Sequence, residues 1–183
     1  MSSNSDGTAT SALAETDSVR TLPLAGLSAL AMAGFIAITT ETMPAGLLVQ
    51  IGSGLSVSVS GAGQLVTAYA LGSVVGAVPL IALTRGLRRR AVLVSAILGF
   101  GVFNLVTALS SNLVLTLGVR FLAGMAAGVV WGLLAGYARR MSPPHLQGRA
   151  VAVASVGQPI ALAIGVPMGA WLGTLADWRV VFA

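Results

Sequence analysis

The chain is 183 residues long, carries 10 basic and 5 acidic residues, 8% of its length, and is 56% hydrophobic with 23 glycines. Soluble domains carry roughly a quarter of their residues as charges, and a mean hydropathy of +0.92 is more apolar surface than so few polar groups can cover, which excludes a soluble enzyme. The net charge of +5 does not indicate nucleic acid, because such binding needs a solvent-facing basic stripe, often with aromatics beside it, and only 5% of the chain is aromatic.

Residues 1–20 are rich in Ser, Thr, Ala and Asp and read as a disordered cytoplasmic tail. The apolar stretch that follows Arg20 runs too long for the h-region of a signal peptide, so no processing is expected. From Thr21 onward the few charges divide the chain into long apolar runs, and a bilayer core needs about 20 apolar residues per helix. Glycine and serine mark reversals at Gly52–Gly63 and at Ser110–Asn112. The spacing predicts spans near 22–49, 63–83, 91–110, 113–137 and 150–175, with a sixth starting at 180.

Arginine placement predicts the orientation. With the N-terminus inside, Arg20, the 85–90 cluster and the 139–149 loop lie on the inner side and Arg179 alone on the outer, so the positive-inside bias predicts a cytoplasmic N-terminus. Glycines recur at spacing four: Gly72 and Gly76; Gly124, Gly128, Gly132 and Gly136; Gly165, Gly169 and Gly173. On a helix that spacing presents one face to which another backbone can approach closely.

Two ionisable residues, Glu41 and Arg120, lie inside apolar runs. Each costs on the order of 3 kcal/mol in lipid, so each should face a partner or a water-filled cavity. Both fall roughly 6 to 8 Å below the outer boundary, so their depths allow them to pair. A carboxylate near a cationic side chain in a cavity that opens alternately to either side can take up and release protons. A structural ion pair, or a Glu41 that reaches the outer interface, fits the same pattern. Prolines at 44, 79, 159 and 167 each remove a backbone donor within a span and tend to bend it. Gln64, Tyr69, Asn104 and Gln158 are candidates to line a substrate cavity or to join helices by hydrogen bonds.

With no cysteine and a single histidine, His145, in a Pro-Pro loop, no metal site is expected. A rhomboid-type serine protease lacks its membrane-embedded histidine, and a phosphate-cradling loop lacks its lysine. No enzymatic activity and no cofactor are expected.

Several stretches together resemble the N-terminal half of a major facilitator superfamily transporter of the drug or sugar:proton antiporter type, similar to arabinose-efflux-like and chloramphenicol-resistance proteins. Thr39-Thr-Glu-Thr-Met-Pro-Ala-Gly-Leu-Leu48 resembles the end of the first span in those proteins, where the acidic residue is implicated in proton and substrate coupling. The loop Thr84-Arg-Gly-Leu-Arg-Arg-Arg90 stands at the family's Gly-x-x-x-Asp-Arg-x-Gly-Arg-Arg loop. Leu80, Thr84 and Leu87 replace the first glycine, the aspartate and the second glycine, and Arg85, Arg88 and Arg89 are retained. This departure separates the loop from the usual form of the charge-relay latch attributed to it. Arg120-Phe-Leu-Ala-Gly-Met-Ala-Ala-Gly128 resembles the fourth-span pattern Arg-x-x-x-Gly-x-x-x-Gly, whose arginine is tied to proton coupling. Gly157 with Gly165-Val-Pro167-Met-Gly169 resembles the fifth-span antiporter motif, with a valine between glycine and proline, and Asp177-Trp-Arg179 resembles the outer turn before span six.

The resemblance implies an all-α membrane protein: the superfamily's N-terminal six-helix bundle, here five spans plus the start of a sixth, N-terminus cytoplasmic, multi-pass in the plasma or inner membrane. It implies alternating access by two bundles rocking about a midplane site, with inward proton movement through Glu41 and Arg120 driving efflux of a small organic molecule, a drug or a sugar. Its partners are then the lipid bilayer, the substrate, protons and a C-terminal six-helix half, from the same longer chain or a separate one, and not nucleic acid. A fragment of a twelve-span protein is the expectation for a chain of this length. A non-transporting membrane scaffold or assembly subunit, or an inactive remnant, in which Glu41 and Arg120 form only a structural pair, is the competing reading.

Overall fold

The computed structural model describes residues 22–182, so the acidic N-terminal tail lies outside the described residues. Lipid offers no partner to backbone N–H and C=O groups, so long apolar runs must satisfy those groups internally as helices. Among the described residues five helices are long and apolar enough to cross a membrane: α1 (Leu24–Gly46), followed after a break at Leu47 by the short α2 (Leu48–Gly54), then α3 (Val59–Leu83), α4 (Arg89–Leu109), α5 (Leu113–Arg140) and α6 (Pro144–Leu175). A short α7 (Trp178–Phe182) follows. The chain is an all-α, multi-span helical bundle.

Local chemistry sets the ends. The Asn112 side chain accepts from the N–H groups of Val114 and Leu115 at 2.9 and 3.1 Å and starts α5, as a good N-cap residue does. Ser58 does the same for α3 by accepting from Gly61 N–H at 3.1 Å. That cap starts α3 at Val59, ahead of the expected 63, and confines the first reversal to residues 55–58, where Ser56 takes φ 56°. Helix α6 contains a π turn, Ala161–Gly165, in which Val166 N–H reaches the Ala161 carbonyl, just before Pro167.

Two helix pairs form the frame. Helices α3 and α5 meet backbone to backbone: a Cβ on Gly72 would overlap the Phe121 carbonyl, one on Gly124 the Tyr69 carbonyl, and one on Gly76 would stand 2.7 Å from the Met125 Cα. Helices α1 and α6 meet similarly, with Gly157 against the Ala31 carbonyl, Gly165 between Phe35 and Thr39, Gly169 against Met43 and Gly173 against Leu47. Gly136, expected to continue the α5 row, has open space where its Cβ would stand. Helix α3 ends at Leu83, and after Gly132 meets Ile81 the row has run past its partner.

The main core joins Leu27, Leu30, Ala33 and Ala37 of α1 to Tyr69, Phe100, Ala123, Ala127 and Val130. A second cluster, Met43, Leu47, Ile51, Leu65, Trp178 and Phe182, closes the end at which α1 finishes. The 85–90 and 139–149 arginines lie together at the opposite end, where Gly26 at the start of α1 packs against Met141.

Candidate functional site

The site grows from one missing hydrogen bond. In a helix the N–H of residue 44 would donate to the carbonyl of Thr40, but Pro44 has none, so that carbonyl is left without its helical partner inside an apolar segment. Arg120 supplies the donor: its Nη2 reaches Thr40 O at 2.6 Å from α5. The Arg120 side chain is fully buried. Its guanidinium carbon lies 4.9 Å from the Tyr69 ring centre and 5.6 Å from that of Phe182, a geometry in which aromatic faces attract a cation. Its Nε and Nη1 are buried without hydrogen-bond partners among the described residues.

Other polar groups meet on the same turn of α1. The Tyr69 hydroxyl donates to the Ala37 carbonyl at 3.2 Å, and Asn104 Nδ2 donates to Thr40 Oγ1 at 3.1 Å. Asn104 Oδ1 and Thr39 Oγ1 are buried and have no hydrogen-bond partner among the described residues. Glu41 follows Thr40 directly and is half-buried.

The expected depth match between Glu41 and Arg120 is present, because the guanidinium touches the residue preceding Glu41. The direct pair that this depth allows is absent among the described residues. Among the described residues the single ion pair joins Arg179 to Asp177 at 3.6 Å, while Arg120 is turned onto the carbonyl that Pro44 frees. A neutral but strongly dipolar acceptor in apolar surroundings competes with the half-buried carboxylate, which has other solvation open to it.

The four polar candidates separate. Tyr69 and Asn104 join the Arg120 turn. Gln64 is exposed on α3, and Gln158 is half-buried on α6, where its Cγ lies beside Gly34 and near Trp131, towards the other end of α1. In the loop, Arg85 and Arg88 are exposed and Arg89 is half-buried. Thr40, Thr39 and Phe182 were not among the expected site residues. Thr40 was findable, since a proline four residues later frees its carbonyl, whereas Phe182 reaches Arg120 only through the fold.

Residues 30–183 match the family model of the Major Facilitator Superfamily. The chain is 37% identical over 154 residues to a chloramphenicol efflux pump of Mycobacterium tuberculosis, covering 84% of this chain and 37% of that protein. It is 38% identical over 157 residues to the inner membrane transport protein YdhP of Escherichia coli, covering 85% and 40% respectively. It is also 38% identical over 144 residues to a chloramphenicol resistance protein of Streptomyces lividans, covering 79% and 37%. The chain thus spans 37 to 40% of the length of these relatives.

Proposed function

From its membership in the major facilitator superfamily, to which this chain belongs, we infer that it forms the first half of a proton-coupled efflux transporter for a small organic molecule, working by alternating access. The other half is a second six-helix bundle, and the pair encloses a substrate path that neither bundle encloses alone. The chain performs no covalent chemistry, and its N-terminus faces the cytoplasm across the plasma or inner membrane.

One observation carries the reading: a fully buried arginine, two of whose nitrogens have no partner among the described residues, is held by a hydrogen bond to the residue beside a half-buried carboxylate. A buried cation so incompletely satisfied is expensive to maintain for packing alone. It gives Arg120 two alternatives, the Thr40 carbonyl or the Glu41 carboxylate. When Glu41 is ionised the carboxylate attracts Arg120; when Glu41 binds a proton that attraction is lost and the guanidinium returns to Thr40. Proton binding on α1 is thereby coupled to the position of α5, and the α3–α5 and α1–α6 pairs carry the change as packed units. Relatives named for chloramphenicol efflux and chloramphenicol resistance favour an antibiotic-sized organic substrate.

The test is transport by the full reading frame in inverted vesicles, with and without a proton gradient. Glu41→Gln is expected to insert normally and to lose gradient-driven efflux while still exchanging substrate across the membrane. Gradient-driven efflux at the parent rate in Glu41→Gln refutes the role of Glu41.

A further inference from the structure

The arginine-bearing end of the bundle holds a cavity of about 140 Å³ lined by Ile81, Arg89, Gly132, Gly136, Tyr137 and Arg140. It opens where α3 stops and the glycine row of α5 continues: Gly132 still meets Ile81, and Gly136 meets nothing among the described residues. The Arg89 Nη1 is buried and has no hydrogen-bond partner among the described residues. Arg140 lines the same space from the end of α5, and Tyr137 lies one turn before it.

Nothing described at this end balances the charge. The only acidic residues among those described, Glu41 and Asp177, lie towards the opposite end, and Asp177 is already beside Arg179. Helix α4 starts at Arg89 with no side-chain cap and no acidic residue in its first turn, and its N-cap is Arg88. A helix N-terminus is itself electropositive and its first N–H groups are free. Arginines there add like charge to like charge, which a bound anion would reverse. Two arginines lining one space suit a phosphate, whose oxygens accept several charge-assisted bonds at once. Val78 and Leu83, in the last turns of α3, and Leu87, in the loop after it, are strongly exposed, as an acyl-chain contact surface would be.

We propose that the cavity between Arg89 and Arg140 is a binding site for an anionic phosphate group, delivered by a phospholipid headgroup whose chains lie along the end of α3. The site is separate from the Arg120 turn and its occupancy does not depend on transport. A basic pocket between membrane helices is a known setting for headgroup binding, and here the lining residue Gly136 carries no side chain to fill the space.

The experiment uses the full reading frame in phosphatidylcholine nanodiscs, titrated with phosphatidylglycerol in one arm and with inorganic phosphate in the other. Bound lipid is read by native mass spectrometry and stability by Tm. Phosphatidylglycerol is expected to be retained in preference to phosphatidylcholine, and the double variant Arg89→Gln, Arg140→Gln to retain it on the order of tenfold less tightly. Arg88→Gln, exposed and outside the cavity, should retain it as the parent does. Gly136→Leu fills the cavity without altering charge and should lose retention as well, which keeps the test decisive if the arginine variant does not fold. A rise in Tm with inorganic phosphate alone, lost in Gly136→Leu, supports the phosphate site and assigns it a soluble source. Equal loss in Arg88→Gln and the double variant, or full retention in Gly136→Leu, overturns the site in favour of a general attraction to basic surface.

Discussion

Gly124→Ala tests the close contact on which the Arg120 site is built. Gly124 lies one helical turn after Arg120 on α5, and a Cβ there would overlap the Tyr69 carbonyl oxygen and stand 2.9 Å from the Ser73 nitrogen. Neither obstacle is a side chain that can rotate away, so α3 and α5 must part by on the order of 1 Å, a gap that forfeits a quarter to a half of the dispersion attraction at each contacting atom pair. Overpacking typically costs 1–3 kcal/mol, and backbone against backbone places this substitution at the upper end, about 3 kcal/mol. Gly136→Ala on the same helix is the internal control, because among the described residues nothing lies within 4 Å of its Cβ. There the better helix propensity of alanine, about 1 kcal/mol in water, should leave stability unchanged or raised. The assay is reversible unfolding of both variants in lipid–detergent bicelles, followed by circular dichroism. Agreement of the two variants to within about 0.5 kcal/mol, the scatter of substitutions that touch nothing, would refute the backbone contact. The same separation moves Tyr69 away from Arg120, so Gly124→Ala should also reduce transport by the full reading frame where Gly136→Ala does not.

Asn104→Leu removes the 3.1 Å hydrogen bond to Thr40 Oγ1; hydrogen bonds between membrane helices average about 0.6 kcal/mol, so unfolding in bicelles should show a loss below about 1 kcal/mol, and a loss several times larger would mean that Asn104 has further partners. Gly54→Ala drives a Cβ onto the indole Nε1 of the buried Trp178, an overpacking worth about 1–3 kcal/mol. In a Trp131→Phe, Trp171→Phe background the remaining tryptophan emission should shift to the red as the indole is displaced towards solvent, and unchanged emission would place Trp178 elsewhere.

The long helices were legible because membrane insertion is decided locally: an uncharged run of sufficient length has no other way to satisfy its backbone. Helices α4 and α5 start and stop close to the expected positions, since their ends are marked by Arg88–Arg90, Ser110 and Asn112. The first reversal was less legible. Gly52–Gly63 contains glycine and serine throughout, and nothing in that composition distinguishes Ser58, which caps α3, from Ser53, Ser56 and Ser60, which do not. The glycine rows were legible as faces but not as contacts. Gly132 and Gly136 have the same spacing, and only the end of α3 separates a packed glycine from an open one.

By itself, the sequence determined that this chain is a bundle of membrane helices, and that Glu41 and Arg120 lie at matching depth, because hydropathy, run length and register along a helix are properties of one segment at a time. Tertiary structure alone decided that Arg120 binds the Thr40 carbonyl and not Glu41, that Tyr69 and Phe182 flank it, and that Gln64 faces outward while Asn104 faces in. Depth is one coordinate. Contact also requires the rotation of each helix about its axis, which is set by the glycine surfaces of α3–α5 and α1–α6 closing on one another and is therefore a property of helix pairs.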